Sequence, residues 1–251
     1  MSKSHKNKAI FYVVILILLV GLGLFLKQKK AIAPLVTENP TSQTQENTSP
    51  VSIGSKTIKE ENFTGTVSTV SGKSILAAKS QAYIDQEVND FRKQANNDVP
   101  PMRQKFGADS PTAQYEIDIE AKYVKSEKTE SVSILTYTYT GGAHGNSSYK
   151  VITTTLVSGK ILSLSDVIKK GKESAFTTYV KKALNDWRPE GSDGSPVFPE
   201  DVQALTFNSF ANWSLDNTNL IIYFSQYDIG PGVLGPVAFP LPIEKIKDFL
   251  Q

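Results

Sequence analysis

The sequence predicts an α+β protein that follows an N-terminal transmembrane helix, and three patterns support this fold class. An apolar run, Ile10 to Leu26, stands near the N-terminus. Farther along, the stripe from Phe176 to Trp187 repeats with the period of a helix, whereas Ala113–Lys122 alternates apolar and polar residues as a half-buried strand does. Because helices and strands are mixed without a regular βαβ alternation, we expect mixed antiparallel sheet modules with a few packed helices.

The apolar run is long enough to cross a lipid bilayer as a single helix. Its 17 residues would span roughly 26 Å, against about 30 Å for the hydrocarbon core of a bilayer. Lysines flank both ends and the free amine adds charge to the N-terminal side, so the positive-inside rule places residues 1–9 in the cytoplasm. We therefore expect a single-pass protein of the cell membrane with an extracytoplasmic C-terminal part.

A cleaved secretory signal is the alternative interpretation of the same run, with Ala31-Ile32-Ala33 as the cleavage site. The length of the run and the lysines of residues 27–30, which lie between it and that site, favour the uncleaved anchor. Residues 27–56, which are rich in Thr, Ser, Gln, Asn and Pro, are then expected to form a flexible linker.

Charge and cysteine content exclude several classes of function. Residues 1–30 hold six basic and no acidic side chains, so residues 31–251 carry 21 basic and 25 acidic side chains, a net charge of −4. A nucleic-acid-binding domain is usually strongly basic, so we expect no nucleic-acid partner. The chain has no cysteine, which excludes disulfides, thiol catalysis and thiolate metal sites.

The remaining chain is predicted to form a smaller α+β module, 57–140, and a larger one, 141–251. In the smaller module Ile84, Val88, Phe91 and Ala95 share one face of a helix, which is expected to end before Pro100-Pro101. Strands are expected at Phe63–Val70, Ala113–Lys122 and Ser131–Thr140, and at Ser148–Leu156 in the larger module.

The larger module is expected to continue with a turn at Ser158-Gly159 and a strand, Lys160–Leu164. Ser165 and Asp166 can cap a short helix, and the helix with the stripe up to Trp187 follows. The other expected elements are strands at Phe210–Leu215, Leu220–Ser225 and Val237–Pro240 and a short helix from Ile243.

The first candidate binding segment is YTYTGGAHG, residues 137–145, and its GGAHG part joins two expected strands. Its candidate contact residues are Gly142, His144 and Gly145. Three glycines within five residues allow positive φ angles and exposed amides, which suits an anion or the close approach of a partner. His144 can donate, accept or exchange a proton. The alternative is structural, since a turn between strands needs glycine and a histidine there often bonds the backbone.

The second candidate binding segment is the Gly/Pro-rich loop QYDIGPGVLGP, residues 226–236. Such a loop leaves a strand and can present apolar side chains, or those side chains can fold back beneath it. The candidate contact residues are Tyr227, Ile229, Pro231, Val233 and Leu234.

The two segments and their surroundings resemble a known family. YTYTGGAHGNSSYKVITTTLVSGKILSLSDVI, followed by NWSLDNTNLIIYFSQYDIGPGVLGPVAFPLP, is similar to the extracytoplasmic region shared by RsiV-type lysozyme-sensing anti-sigma factors and PdaC-type peptidoglycan deacetylases. The resemblance runs from about Phe63 to Gln251. One departure is Gly232, where the family tends to have an aromatic residue.

The resemblance implies a binding module and not a complete sensor or enzyme. An anti-sigma factor of that type has a cytoplasmic domain before its span, where this chain has residues 1–9. The deacetylases use an aspartate and two histidines around a divalent cation, which His144 alone does not supply. The resemblance therefore implies the shared module on a membrane tether, with a lysozyme-like protein or cell-wall peptidoglycan as its ligand.

Other enzyme interpretations depend on weaker patterns. Glu116, Asp118 and Glu120 share a strand face at roughly 6.6 Å spacing, near enough for carboxylate-pair chemistry, but a solvated strand often carries alternate charges. A Ser-His-Asp arrangement with His144 has no nucleophile motif beside it. We expect a binding protein without catalytic residues, cofactor or metal; a cell-wall-modifying hydrolase and a structural accessory domain of another membrane protein are the alternatives.

Overall fold

Two β-sheets and four α-helices build the part of the chain that the structure, a computed structural model, describes: residues 51–189 and 194–251. Strands β1 to β5 form one sheet in that order, and β6 to β8 form the second. The strands are β1 (Ser52–Lys59), β2 (Phe63–Ser71), β3 (Tyr115–Lys125), β4 (Thr129–Thr140), β5 (Asn146–Thr155), β6 (Trp213–Leu215), β7 (Asn219–Phe224) and β8 (Val237–Pro242). The helices are α1 (Ile75–Phe106), α2 (Glu173–Asn185), α3 (Pro199–Ala204) and α4 (Ile243–Ile246). The predicted α+β class is confirmed.

The long helix α1 covers one face of the five-stranded sheet. The residues that alternate along β3 and face it, Tyr115, Ile117 and Ile119, are buried, as the two-residue period predicts. The predicted helix face, 84 to 95, is buried against them. Strands β2 and β3 are parallel and α1 connects them, whereas every other pair in this sheet is antiparallel. This crossover departs from the expected antiparallel modules.

Helix α1 does not end before Pro100, and this prediction is wrong. Each proline removes one backbone hydrogen bond, but tertiary contacts hold the last turns in place. Val99 is fully buried in the core between α1 and the five-stranded sheet, which we call the first core. Arg103 donates to Asn62 Oδ1 at 3.0 Å and to the Glu61 carbonyl at 2.6 Å. The helix ends only at Gly107, whose φ of 93° suits glycine.

Other boundaries also differ from the expectations. Strand β1 begins at Ser52, inside the predicted linker, because it pairs with β2 along its whole length. The predicted strand at 160–164 is reduced to one bridge between Thr154 and Ile161. The expected module boundary at 140/141 falls in the turn between β4 and β5.

The predicted membrane span, Ile10–Leu26, lies outside the described residues. Among the helices of residues 51–189 and 194–251, none combines the length and the apolar character that a bilayer crossing needs.

A second core lies between α2 and the three-stranded sheet. Phe176, Val180 and Leu184 of the predicted stripe are fully buried and pack with Phe210 and Trp213. Full burial of each large apolar side chain contributes about 1.5–3 kcal/mol. The short helix before α2 is a 3₁₀ turn, Leu164–Asp166, which is capped by Ser163 together with the predicted Asp166 and not by Ser165.

The second sheet docks against the free edge of β5 through side chains. Asn212 Oδ1 accepts from the Val151 N–H at 3.0 Å, and Asn212 Nδ2 donates to the Tyr149 carbonyl at 2.9 Å. Ser225 Oγ accepts from the Tyr149 N–H at 3.0 Å. An uncovered edge strand would present unpaired amides. These contacts cover the edge of β5 and place the loop after β7 beside the turn between β4 and β5.

Candidate functional site

The two predicted binding segments meet in space, and we call them together the two-loop site. It consists of residues 141–145, the first loop, and residues 225–236, the second loop. His144 Nε2 lies 3.2 Å from the Tyr227 hydroxyl, although 83 residues separate them. Their ring centroids are 6.3 Å apart at an interplanar angle of 40°.

The first loop is shaped by glycines that have no space for a side chain. A Cβ on Gly141 would lie 2.3 Å from the Thr112 carbonyl oxygen, and its φ of 80° also favours glycine. Gly145 is buried beneath the ring of Tyr137, where a Cβ would lie 2.3 Å from ring carbons. The loop therefore turns sharply and holds His144 at the surface.

The backbone of Gly145 also fixes the imidazole of His144. Nδ1 lies 2.8 Å from the Gly145 carbonyl oxygen. A carbonyl only accepts, so Nδ1 carries the proton, and in the neutral ring Nε2 then accepts from the Tyr227 hydroxyl. The imidazole is exposed, and neither of its two ring contacts is a carboxylate or a serine hydroxyl.

The second loop holds Tyr227 in a strained conformation. Its φ is 73°, the only positive φ of a non-glycine residue in the described ranges. The turn is closed by Asp228, whose Oδ2 accepts from the Ser225 N–H at 2.6 Å, while the Asp228 N–H donates to the Ser225 carbonyl. Partial burial raises the pKa of Asp228, and the hydrogen bond from Ser225 opposes this. Such strain persists only where surrounding contacts fix it, and it is frequent at binding sites.

Gln226 joins the second loop to β5. Its N–H donates to the Ser147 carbonyl at 2.9 Å, and its Oε1 accepts from the Ser147 N–H at 3.0 Å. Its Nε2 donates to the Gly232 carbonyl at 2.9 Å. One side chain thus fixes the position of the loop relative to the sheet and also the curvature of the loop itself.

Gly232 leaves space for the ring of Tyr227. A Cβ at this position would lie 2.5–2.6 Å from the ring and hydroxyl of Tyr227. The departure from the family pattern at Gly232 therefore has a physical reason in this chain, because the ring of Tyr227, five residues earlier, occupies the space next to it.

The candidate contact residues differ in accessibility. Gly142 and His144 are exposed and Gly145 is buried. Tyr227 is 50% exposed and Val233 is 94% exposed. The other three candidates are less accessible. Ile229 is 1% exposed and belongs to the second core, and Leu234 folds back against that core. Pro231 is half-buried. Ile229 is therefore a packing residue, because its side chain cannot reach a partner.

Two residues of the predicted segments help to build this region without being among the predicted contact residues. Gln226 begins the second segment, but nothing local shows that its amide bonds to β5. Tyr137 begins the first segment, and only the structure shows that its ring packs on Gly145. Among the described residues, no group of three or more His, Asp and Glu side chains is arranged to hold a metal ion.

Comparison with protein families gives two matches that cover different parts of the chain. Residues 41–147 match the family model described as Deacetylase PdaC, and residues 165–244 match the model described as Protein of unknown function (DUF3298). The first match includes β1 to β4 and the first loop, and the second includes the whole three-stranded sheet and the second loop.

A curated relative is the peptidoglycan-N-acetylmuramic acid deacetylase PdaC of Bacillus subtilis strain 168. It is 21% identical over 175 residues, which is 67% of this chain and 35% of the relative. The chain therefore spans about a third of the length of that protein.

Two solved structures share the fold. A DUF3298 family member from Bacteroides fragilis has a TM-score of 0.60 at 18% identity, and the match covers 82% of this chain and 96% of the other. A DUF3298 family protein from Pseudomonas aeruginosa PAO1 has a TM-score of 0.52 at 14% identity, with 80% and 94% covered. The resemblance predicted from the GGAHG and YDIGP motifs is thus confirmed: residues 41–147 are similar to the PdaC family and residues 165–244 to the DUF3298 family.

Proposed function

We propose that this chain is a membrane-anchored binding module of a bacterial cell envelope, and that its two-loop site binds a cell-wall glycan without catalysing a reaction. The observation that carries the proposal is the contact of His144 with Tyr227, which joins the two motifs of the resemblance at one exposed place. The PdaC-type region and the named activity of the Bacillus subtilis relative support a ligand from peptidoglycan.

The chemistry of the site suits a saccharide. The ring of Tyr227 is half exposed and supplies a flat apolar surface with a hydroxyl at its end. The neighbouring imidazole and the exposed backbone of Gly142 supply hydrogen-bonding groups. Sites that combine an aromatic ring with a few oriented polar groups are typical of small-molecule and sugar recognition.

Catalysis is the weaker alternative. The Gly145 carbonyl orients the imidazole of His144, but it does not supply the negative charge with which a carboxylate stabilises an imidazolium. The other contact of the ring is the Tyr227 hydroxyl, and no serine hydroxyl is bonded to it.

A lysozyme-like protein is a second candidate ligand, and two observations favour it. Val233 is 94% exposed on the same loop as Tyr227. An apolar side chain at a loop tip suits insertion into the cleft of a protein partner. A net charge of −4 over residues 31–251 also suits a cationic partner.

Co-sedimentation with purified, insoluble peptidoglycan tests the proposal. The full chain, in mild detergent, is compared with Tyr227→Ala and with Tyr227→Phe. Both variants keep a non-glycine residue at the strained φ, so they differ only in the ring and the hydroxyl. We expect about a tenfold or larger loss of affinity for Tyr227→Ala, which corresponds to about 1.4 kcal/mol, and a smaller loss for Tyr227→Phe.

Val157→Ser is the matched control, because Val157 is fully exposed and lies outside both loops. Its binding is expected to equal that of the wild type. Unchanged binding of a folded His144→Ala/Tyr227→Ala double variant would show that the two-loop site is not the glycan site. Protease protection in intact cells tests the anchor separately: a C-terminal part that stays shielded from external protease would contradict the expected topology.

A further inference from the structure

The five-stranded sheet has a second face, opposite α1, and residues 51–189 and 194–251 cover only half of it. On β4 this face consists of Ser131, Ser133, Leu135, Tyr137 and Tyr139, because their neighbours along the strand point to α1. The second sheet covers the end with the two serines, which are at most 3% exposed. The other end, with leucine and two tyrosines, is partly open to solvent.

This distribution is the reverse of what packing alone predicts. Large apolar and aromatic side chains normally occupy the covered part of a sheet face, and small polar residues occupy the open part. Here the covered part has small side chains and the open part has aromatic ones. Exposed aromatic surface that no other element covers is frequent at binding sites.

The open half contains a depression of about 400 Å³, within the range typical of ligand sites, about 300–1,000 Å³. We call it the sheet-face site. Its lining side chains are Ser55, Thr66, Ser68, Asp118, Glu120, Leu135 and Tyr137. Tyr137 is held in place because its ring lies on Gly145 of the first loop.

Strand β3 places carboxylates beside these aromatic side chains. In the antiparallel register Asp118 lies opposite Tyr137, and Glu120 lies opposite Leu135. Glu116, one step along the same face, lies opposite Tyr139.

The charges on this face are only partly compensated. Glu120 forms an ion pair with Lys122 at 3.1 Å. Asp118 accepts from the Thr66 N–H at 2.7 Å, and Glu116 and Asp118 form no ion pair with any residue of the described ranges. Lys59, the other cation on this face, lies on the edge strand β1 opposite Thr64. The sheet-face site is therefore rich in acceptors and net acidic.

We propose that the sheet-face site binds a saccharide that carries a free amine. The ring of Tyr137 stacks on the sugar, and the carboxylates of Asp118 and Glu120 accept from its hydroxyls and its ammonium group. Charge selects the amine, because a neutral acetamide in the same place would cover the Asp118 carboxylate, which has no ion-pair partner among the described residues, without supplying a counter-charge. Leu135 and Tyr137 favour a sugar over a simple cation. A simple cation interacts with the carboxylates and gains little binding free energy from these two side chains.

The sheet-face site and the two-loop site have no residue in common, so the ligand of the sheet-face site does not depend on the proposed function. The two sites touch where the ring of Tyr137 packs on Gly145. Variants of Asp118 and of Tyr227 are therefore expected to affect different ligands.

Calorimetric titration of the full chain with a glucosamine tetrasaccharide and with its fully N-acetylated counterpart tests this proposal. We expect saturable binding of the amine form, about tenfold or more weaker binding of the acetylated form, and weakening of the amine form by added salt. Asp118→Asn removes the charge but keeps an oxygen that can accept from Thr66, so a large loss of affinity in this variant reports the charge and not misfolding. Asp248→Asn, at an exposed carboxylate near α4, is the matched control.

Three results would overturn the proposal. Equal binding of the two tetrasaccharides would show that the amine is not recognised. Equal or tighter binding of a lysine tetrapeptide would identify a cationic peptide as the ligand class. Absence of binding of either tetrasaccharide, while Tyr227-dependent binding to peptidoglycan persists, would reject the sheet-face site and leave the two-loop site intact.

Discussion

Gly65 is the position where one added methyl group is expected to cause the largest loss of stability. It lies in β2 beside the parallel strand β3, and a Cβ there would be 1.8 Å from the Ile117 carbonyl oxygen and 2.9 Å from its carbon. Ordinary contact begins at 3.4 Å, so the strands would have to separate by roughly 1.6 Å. That separation disrupts the pairing of Thr64 with Glu116 and the hydrogen bond from Thr66 to Asp118.

The expected cost of Gly65→Ala follows from these contacts. Overpacking costs about 1–3 kcal/mol, and one or two weakened hydrogen bonds add about 1 kcal/mol each. The lower entropy of unfolded alanine offsets about 0.4–1 kcal/mol. The net loss is about 3 kcal/mol, or a decrease in Tm of about 6–12 °C for a domain of this size.

Urea and thermal unfolding measure this loss. Gly142→Ala is the matched control, because its Cβ would lie 3.8 Å from the nearest atom, the His144 carbonyl oxygen. We expect the control to stay within about 0.5 kcal/mol of the wild type. A Gly65→Ala variant as stable as the control would refute the close approach of β2 and β3.

Three further predictions concern single side chains. Lys160 and the capping contacts of Ser163 hold the pKa of Asp166 well below its usual range, so Asp166→Asn is expected to lose about 1–2 kcal/mol at pH 7. This difference, measured by urea unfolding, should shrink as the pH falls below about 4, because the stabilisation of a lowered carboxyl pKa is lost on protonation. Burial and the hydrogen bond to Glu130 raise the pKa of Tyr123 to about 12. The free energy of unfolding should therefore decline as the pH rises from about 10 towards 12, and it should decline less in Tyr123→Phe. Urea unfolding at each pH measures the decline, and an absorbance titration follows the ionisation of the phenol. Gln226→Ala removes two side-chain hydrogen bonds and should lose about 1–2 kcal/mol together with affinity for peptidoglycan, measured by co-sedimentation.

Each of these predictions has a result that contradicts it. A loss in Asp166→Asn that is as large at pH 3 as at pH 7 would show that the charge is not responsible. Alkaline unfolding of Tyr123→Phe that matches the wild type would exclude Tyr123 as its cause. For Gln226, the control is Gln203→Ala on α3; equal effects of the two changes would show that the link from the second loop to β5 does not matter.

Much of the fold is predictable because its elements have local patterns. The alternation along β3 and the stripe along α2 each identify a buried face without knowledge of its partner. The helix α1 shows the limit of this reasoning. Pro100 predicts the end of the helix. However, the contact of Arg103 with Asn62, which lies 41 residues away in the sequence, holds the following turns in place.

The candidate site was predictable in part for the same reason. The two motifs were found separately from their glycines, but their meeting depends on docking of the second sheet against β5. Asn212 and Gln226 make that connection through side-chain amides, which leave no pattern in the sequence. Ile229 was predicted as a contact residue because it lies in a loop motif, but its side chain is buried in the second core. The sequence of a loop alone does not reveal which of its side chains turn inwards.

Parallel titration of the full chain with solubilised peptidoglycan fragments and with lysozyme tests whether the two-loop site binds a cell-wall glycan. We expect saturable binding of the glycan fragments, which Tyr227→Ala weakens and Val157→Ser leaves unchanged. Binding of lysozyme alone would make the two-loop site a protein-recognition site and contradict the glycan assignment. Absence of binding to both, with the wild-type chain folded, would contradict the claim that this chain is a cell-wall binding module.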